Sequence, residues 1–407
     1  MIMNKLYERR HKGLFFLMMV LFLGVGFFTS INSVLISYLR ETMNLSLTLA
    51  NTVSFIFFLG YLIFSVPLGM VSASRGGFFV LLISVAIGVV GCLLFWPFSF
   101  VRWLVIMYFA LICLSFFVTG IEVSGNVIVD KLGAKETSAS RLTFVHMLDS
   151  TGTVFGPIFA AFLFFNHNMA SIRFGYALLG GILCFLFFGI YKSFRRNTAE
   201  NKMPTEVTSE NKMSTISFLK SNPTLVFGVI AIFTYVGVEV SIANFIIPFA
   251  QSPQILGFSI DEAVRYVSLY WVFALIGRIL APVILNFVKD YYLLISYSFF
   301  AIILLVIAII FKSNISIYAL VLTGFANSIM YPTIVSMSIR DLGPQKERGS
   351  GILHLGVFGG AVFPILQGLL ADNVNVVLSF MLPIFLYAYI GFFGISTLSH
   401  IKKVVLK

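Results

Sequence analysis

Residues Gly13 to Leu39 read GLFFLMMVLFLGVGFFTSINSVLISYL, without one charged side chain. The hydrocarbon core of a bilayer is about 30 Å thick and a spanning helix needs about 20 apolar residues, so this stretch can cross it alone. It is too long to be the apolar region of a cleavable signal, and no small-residue cleavage site follows it. Further runs of the same kind bring the total to twelve: 14–39, 49–72, 78–99, 103–129, 142–165, 174–194, 224–250, 264–288, 291–311, 315–339, 349–371 and 376–399. Membrane-barrel strands would alternate apolar and polar residues, and these runs do not. The expectation is an all-α polytopic membrane protein with 12 transmembrane helices.

The composition agrees. Of the 407 residues 59% are hydrophobic and 11% charged, against about 45–50% and about 25% in a soluble domain. Mean hydropathy is +1.00. A soluble enzyme, a disordered chain and a secreted disulfide scaffold are excluded. Cys92, Cys113 and Cys184 all lie inside apolar runs, so they form neither a disulfide framework nor a metal-ligand spacing.

One connection is long. Ser193 to Asn222 reads SFRRNTAENKMPTEVTSENKMSTISFLKSN, a polar, charged sequence of flexible-linker composition. It divides the chain into two six-helix halves, 1–192 and 223–407, joined by a cytoplasmic linker, 193–222. With both termini in the cytoplasm, the outer side holds only Arg40, Arg102, Arg173, Arg265 and Lys312. Apart from Arg278 near a helix end, every other Lys and Arg falls inside, the bias expected of an inner-membrane protein. The net charge of +11 therefore reflects topology and anionic lipid and does not point to nucleic acid.

The halves repeat. Leu132-Gly133 after span four matches Leu342-Gly343 after span ten, half a chain away. Gly152 and Gly156-Pro157 in span five echo Gly359-Gly360 and Pro364 in span eleven. Repeated halves about a long linker are the organisation of secondary transporters, whose substrate site lies near the midplane.

Three acids lie within spans: Glu122, Asp149 and Glu239. Acids inside a membrane are costly, about 2.5–3.5 kcal/mol at the centre even on the lenient insertion scale, and mark ion pathways. Glu122 sits in Gly120-Ile121-Glu122-Val123-Ser124 and Glu239 in Gly237-Val238-Glu239-Val240-Ser241. Spans one and ten carry Asn32-Ser33 and Asn327-Ser328. In a fold of three-helix repeats, spans one, four, seven and ten are equivalent, and their polar groups imply one central wet cavity. Asn126 lies one turn after Glu122 and Tyr235 one turn before Glu239. With Asn244 and Trp271 they offer what a sugar needs, polar partners for hydroxyls and flat faces for the ring. A carboxylate there can take a proton and cross the low-dielectric stage neutral. Glu122 is the first candidate, with Asp149 and Glu239 beside it. His146 and His354 are either proton relays or polar residues near cytoplasmic helix ends; Trp271 either stacks on sugar or packs. No ATP-binding phosphate loop is present, no cofactor or metal is implied, and nothing requires an oligomer, so the expectation is a monomer.

The chain resembles the fucose/galactose/hexose–proton symporter family of the major facilitator superfamily. The resemblance rests on Gly60-Tyr61, Leu94-Phe95-Trp96-Pro97, Ile276-Gly277-Arg278, the run from Tyr331-Pro332-Thr333-Ile334 through Leu342-Gly343 to Gly349-Ser350, and Gly359-Gly360. Tyr235 to Ser241 looks like the glucose/galactose branch. It implies an essential glutamate at Glu122 and gating or structural roles for Gly69, Arg75, Arg141, Arg278 and Arg348. Two departures stand out. Ser33 replaces the family's span-one aspartate, and Asp149 stands where the family usually has asparagine. The implied function is import of a hexose or deoxyhexose with protons by alternating access. Na⁺ coupling or facilitated passage remains open. A drug–proton antiporter fits less well, because the Gly152-to-Pro157 motif is followed by Phe159-Ala160-Ala161. A membrane enzyme or receptor has no supporting motif.

Overall fold

The structure, a computed structural model, describes residues 12–132, 138–164, 169–196, 215–285, 287–345, 349 and 352–405. Hydrocarbon offers no partner to a backbone N–H or C=O, so a spanning segment must satisfy its own as a helix. Among the described residues, eleven helices are long and apolar enough to cross a membrane. A further helix, Ser138–Phe164, has the length of span five. Arg141, His146, Asp149 and a series of Ser, Thr and Gly make it less apolar than its neighbours. Twelve spans follow, and the all-α fold read from the sequence holds. The spans are rimmed by exposed apolar side chains such as Phe162, Phe185 and Phe188, faces suited to lipid.

Two interruptions refine the reading of continuous runs. Span ten is two helices, Asn314–Asn327 and Met330–Ile339, parted at Ser328-Ile329. Span eleven carries a 3₁₀ segment, Leu355–Phe358, before the helix Gly359–Asn373. Discontinuous helices are a recurrent feature of transporters, where irregular backbone lines a site. Arg278, assigned from sequence to a helix end, lies inside the helix Ile260–Leu285.

The chain forms two compact units, residues 1–38 with 59–209, and residues 39–58 with 210–407. The segment 39–58, which the sequence assigns to the amino-terminal half, thus packs with the carboxy-terminal helices. Most of the linker lies outside the described residues.

Each unit is packed through small residues. In the first, a Cβ on Gly152 would overlap the Leu23 carbonyl oxygen, and one on Gly156 the Ser30 hydroxyl, so span five lies directly on span one. In the second, a Cβ on Gly359 would overlap the Phe233 carbonyl, bringing span eleven onto span seven in the corresponding way. Apolar tails give helices no hydrophobic reason to associate, so such close backbone contact supplies the packing energy. The repeat extends to the caps. Spans three and nine each end on a left-handed cationic residue, Arg102 at φ 55° and Lys312 at φ 48°. Gly76, at φ 89°, makes the tight turn between spans two and three that a side chain would strain.

Gly359→Val should therefore lower the thermal midpoint of the purified protein by several degrees, since overpacking costs about 1–3 kcal/mol. Gly181→Ala, with nothing within 4 Å of its added Cβ, should leave the midpoint unchanged. Equal midpoints for the two variants would refute this packing.

Candidate functional site

In the first unit, spans four and five run antiparallel and are tied by a side-chain pair. His146 Nε2 lies 3.1 Å from Asn126 Oδ1, and Phe22 of span one packs edge-on against the His146 ring. One turn further along each helix stand Glu122 and Asp149, so the register brings both acids to about the same depth. Both are partly buried. The Tyr61 hydroxyl donates to Glu122 Oε1 across 3.4 Å. A Cβ on Gly26 would fall 2.8 Å from Asp149 Oδ1, so Asp149 lies against span one.

Asn32 stands about 9 Å further along span one by helical rise. It is 3% exposed and, among the described residues, neither end of its amide has a hydrogen-bond partner. Buried amides are almost always bonded, so this one is an exception. Ser33 beside it is buried too.

The second unit holds a denser network around span seven. Glu239 Oε1 accepts from the Tyr235 hydroxyl at 2.7 Å and faces Arg278 Nη2 of span eight at 3.4 Å. Tyr235 is also 3.1 Å from the Asn327 carbonyl, beside the break in span ten. Asn327 is held at both ends: its Nδ2 donates to the Tyr270 hydroxyl, and its Oδ1 accepts from the Tyr387 hydroxyl of span twelve, both at 2.7 Å. A break in a buried helix exposes carbonyls that need donors, and the Tyr235 hydroxyl reaches one of them. Trp271 is buried with its indole Nε1 unpartnered among the described residues.

The two units use one local device differently. Gly60 of span two packs on Ser115 of span four, and the next residue, Tyr61, reaches Glu122. Gly277 of span eight packs on Ser328 of span ten, and the next residue, Arg278, reaches Glu239.

The remaining sequence candidates fall elsewhere. Asn244 has its amide N–H groups directed to Asn51 Oδ1 at 3.0 Å and Ser54 Oγ at 2.8 Å, which joins helices. Arg141 is fully buried, with Nε on the Val129 carbonyl at 2.9 Å, a cation at the carbonyl end of span four. Arg75 is exposed over the Phe79 ring. Gly69 makes ordinary contact with Val123. Arg348 lies outside the described residues. Tyr270 and Tyr387 carry no distinguishing sequence signal beyond a mid-span hydroxyl that needs a partner when buried, and Tyr61 enters the sequence reading only as part of the Gly60-Tyr61 landmark.

Twelve helices, a repeated half and intramembrane ionisable groups describe a polytopic membrane transporter and not an enzyme. Residues 14–360 match the model of the Major Facilitator Superfamily, and the chain belongs to that family. It is 34% identical over 388 residues to a glucose/galactose transporter of Brucella abortus, covering 92% of each chain. It is 23% identical over 429 residues to an L-fucose-proton symporter of Haemophilus influenzae, covering 96% and 97%. Among solved structures, the fucose:proton symporter FucP of E. coli superposes with a TM-score of 0.68 at 20% identity, covering 94% of this chain and 98% of that one, a likeness of fold.

Glu239 and Arg278 should behave as one unit. The side chains are 14% and 32% exposed, so each single change, Glu239→Gln or Arg278→Gln, should cost about 1–3 kcal/mol, below the 3–5 kcal/mol of a fully buried pair. The double variant should lose less than the sum of the two. Additive losses in a thermal-unfolding cycle would show that the pair is not coupled.

Proposed function

We propose that the protein imports a monosaccharide, a hexose or deoxyhexose, together with protons by alternating access. It would act as a monomer in the cytoplasmic membrane with both termini inside. The observation that carries the sugar is the 34% identity to a glucose/galactose transporter across 92% of both chains. Two unpartnered buried groups, the Asn32 amide and the Trp271 indole N–H, are suited to hydroxyls that both donate and accept. Proton coupling is supported by the names of the two fucose symporters and by the intramembrane acids.

Glu122 is the preferred carrier. A tyrosine hydroxyl can donate to a carboxylate and accept from a carboxylic acid, so Tyr61 serves Glu122 in either state. A proton on Glu239 would instead leave the Arg278 guanidinium without its counter-charge, an expensive outcome in a partly buried site. Glu239 is therefore assigned to orienting Tyr235 and the substrate, and Asp149 to assisting Glu122.

In proteoliposomes with an inward proton gradient, the native protein should concentrate glucose or galactose. The driving force is about 2.3 kcal/mol per charge at about 100 mV, a ratio of roughly fiftyfold for one proton. Glu122→Gln should abolish accumulation and keep sugar exchange, whereas Glu239→Gln should weaken affinity and keep the proton drive. Replacing Na⁺ by choline should change nothing. Accumulation by Glu122→Gln removes that residue as carrier, and loss of uptake in choline means sodium coupling. Stabilisation by a lipophilic cation but by no sugar would replace this reading with the antiporter one.

A further inference from the structure

Residues 39–58 are continuous in sequence with spans one and two but pack with the carboxy-terminal helices. At their centre is a one-turn helix, Leu47–Ala50. So short a helix leaves its first N–H groups without partners of its own. Ser46 supplies one acceptor, its Oγ taking the Leu49 N–H at 3.1 Å. The others come from Asp372, near the end of span eleven and 325 residues from Leu47. Its Oδ1 accepts from the Leu47 N–H at 2.9 Å, and its Oδ2 from the Thr48 N–H at 2.8 Å and the Thr48 hydroxyl at 2.6 Å. One carboxylate thus receives these three donors, with the Ser46 hydroxyl beside them, and each bond is charge-assisted.

The backbones touch at the same place. A Cβ on Gly368, one turn before Asp372, would lie 2.8 Å from Thr48 Cα. Two further polar pairs flank the contact: Asn244 with Asn51 and Ser54, and Gln251 with Glu41. Thr48 and Asp372 reach the surface. Water can satisfy such groups once they part, so the net cost of separation is far below the gross strength of the bonds. A contact made this way is reversible, unlike an interdigitated apolar core.

The geometry points to a latch. In this conformation the Asp372 carboxylate fastens the 47–50 turn to span eleven, and its release is a step of the transport cycle. The inference rests on the alternating-access reading, and the Lys and Arg distribution puts the latch at the outer membrane face.

The test uses the full-length protein in detergent, with Cys113 and Cys184 changed to Ala and Ala50→Cys as a reporter. Ala50 is 1% exposed, so a water-soluble maleimide should label it slowly. Asp372→Ala should raise the labelling rate roughly tenfold, the change that about 1.4 kcal/mol produces. Thr48→Val, which removes one bond of the three, should raise it less. Gly368→Val, with the carboxylate intact and the backbones forced apart, should raise it as well. In vesicles, a Thr48→Cys/Asp372→Cys pair oxidised to the disulfide should stop sugar exchange, and reduction should restore it.

An unchanged labelling rate in Asp372→Ala, or full exchange by protein whose cross-link is verified by mass, overturns the latch. Labelling needs no sugar. A protein whose labelling responds to these variants but which transports no sugar overturns the transport reading alone.

Discussion

A polar group in hydrocarbon has no solvent to fall back on, and each must find a partner within the protein or hold one in reserve for a guest. That constraint orders the structure. It makes every span a helix. It sends the fully buried guanidinium of Arg141 to the carbonyl end of span four and brings the Tyr235 hydroxyl to the Asn327 carbonyl at the break in span ten. There are exceptions. Among the described residues Asn32 and Trp271 are buried with hydrogen-bonding atoms unpartnered, as are several hydroxyls such as those of Ser84 and Thr119.

The internal repeat shows how one scaffold serves two tasks. Glycine-to-backbone contacts join span five to span one and span eleven to span seven. A glycine-to-serine contact places the following residue beside a glutamate in both units. In one unit that residue is a neutral tyrosine, in the other a cationic arginine. The packing is shared while the electrostatics differ, and the two glutamates acquire different partners without any change of fold.

The spans, their number and the intramembrane acids were legible in the sequence because hydropathy and charge are summed over long windows and survive local irregularity. The network around Asn327 was not. Tyr270 and Tyr387 belong to different spans, and nothing in the sequence says that they converge on one side chain. The break at Ser328-Ile329 lies just ahead of Pro332, which has no N–H for the Ser328 carbonyl, but proline alone does not mark a break, since Pro67, Pro97 and Pro248 sit inside continuous helices. Asn244 offers a polar partner for sugar hydroxyls on its sequence alone, and nothing there foretells that its amide N–H groups meet Asn51 and Ser54. Arg278, read from sequence as near a helix end, lies inside its helix and within 3.4 Å of Glu239.

Ser33 stands where the family resemblance implies an aspartate on span one. Asp149 lies against span one, but at Gly26, about 10 Å along the axis from Ser33 by helical rise. It does not restore a charge beside Asn32. It brings a second carboxylate to about the depth of Glu122 on the neighbouring helix. On the proposed reading, the first unit then has two levels: an ionisable one at Glu122 and Asp149, and a neutral hydrogen-bonding one at Asn32 and Ser33. Proton binding and sugar binding need not share an atom in such an arrangement. The coupling between them would pass along span one itself, through the stretch that Gly152 and Gly156 hold at backbone contact, because a helix packed that closely cannot shift at one level and stay fixed at the other.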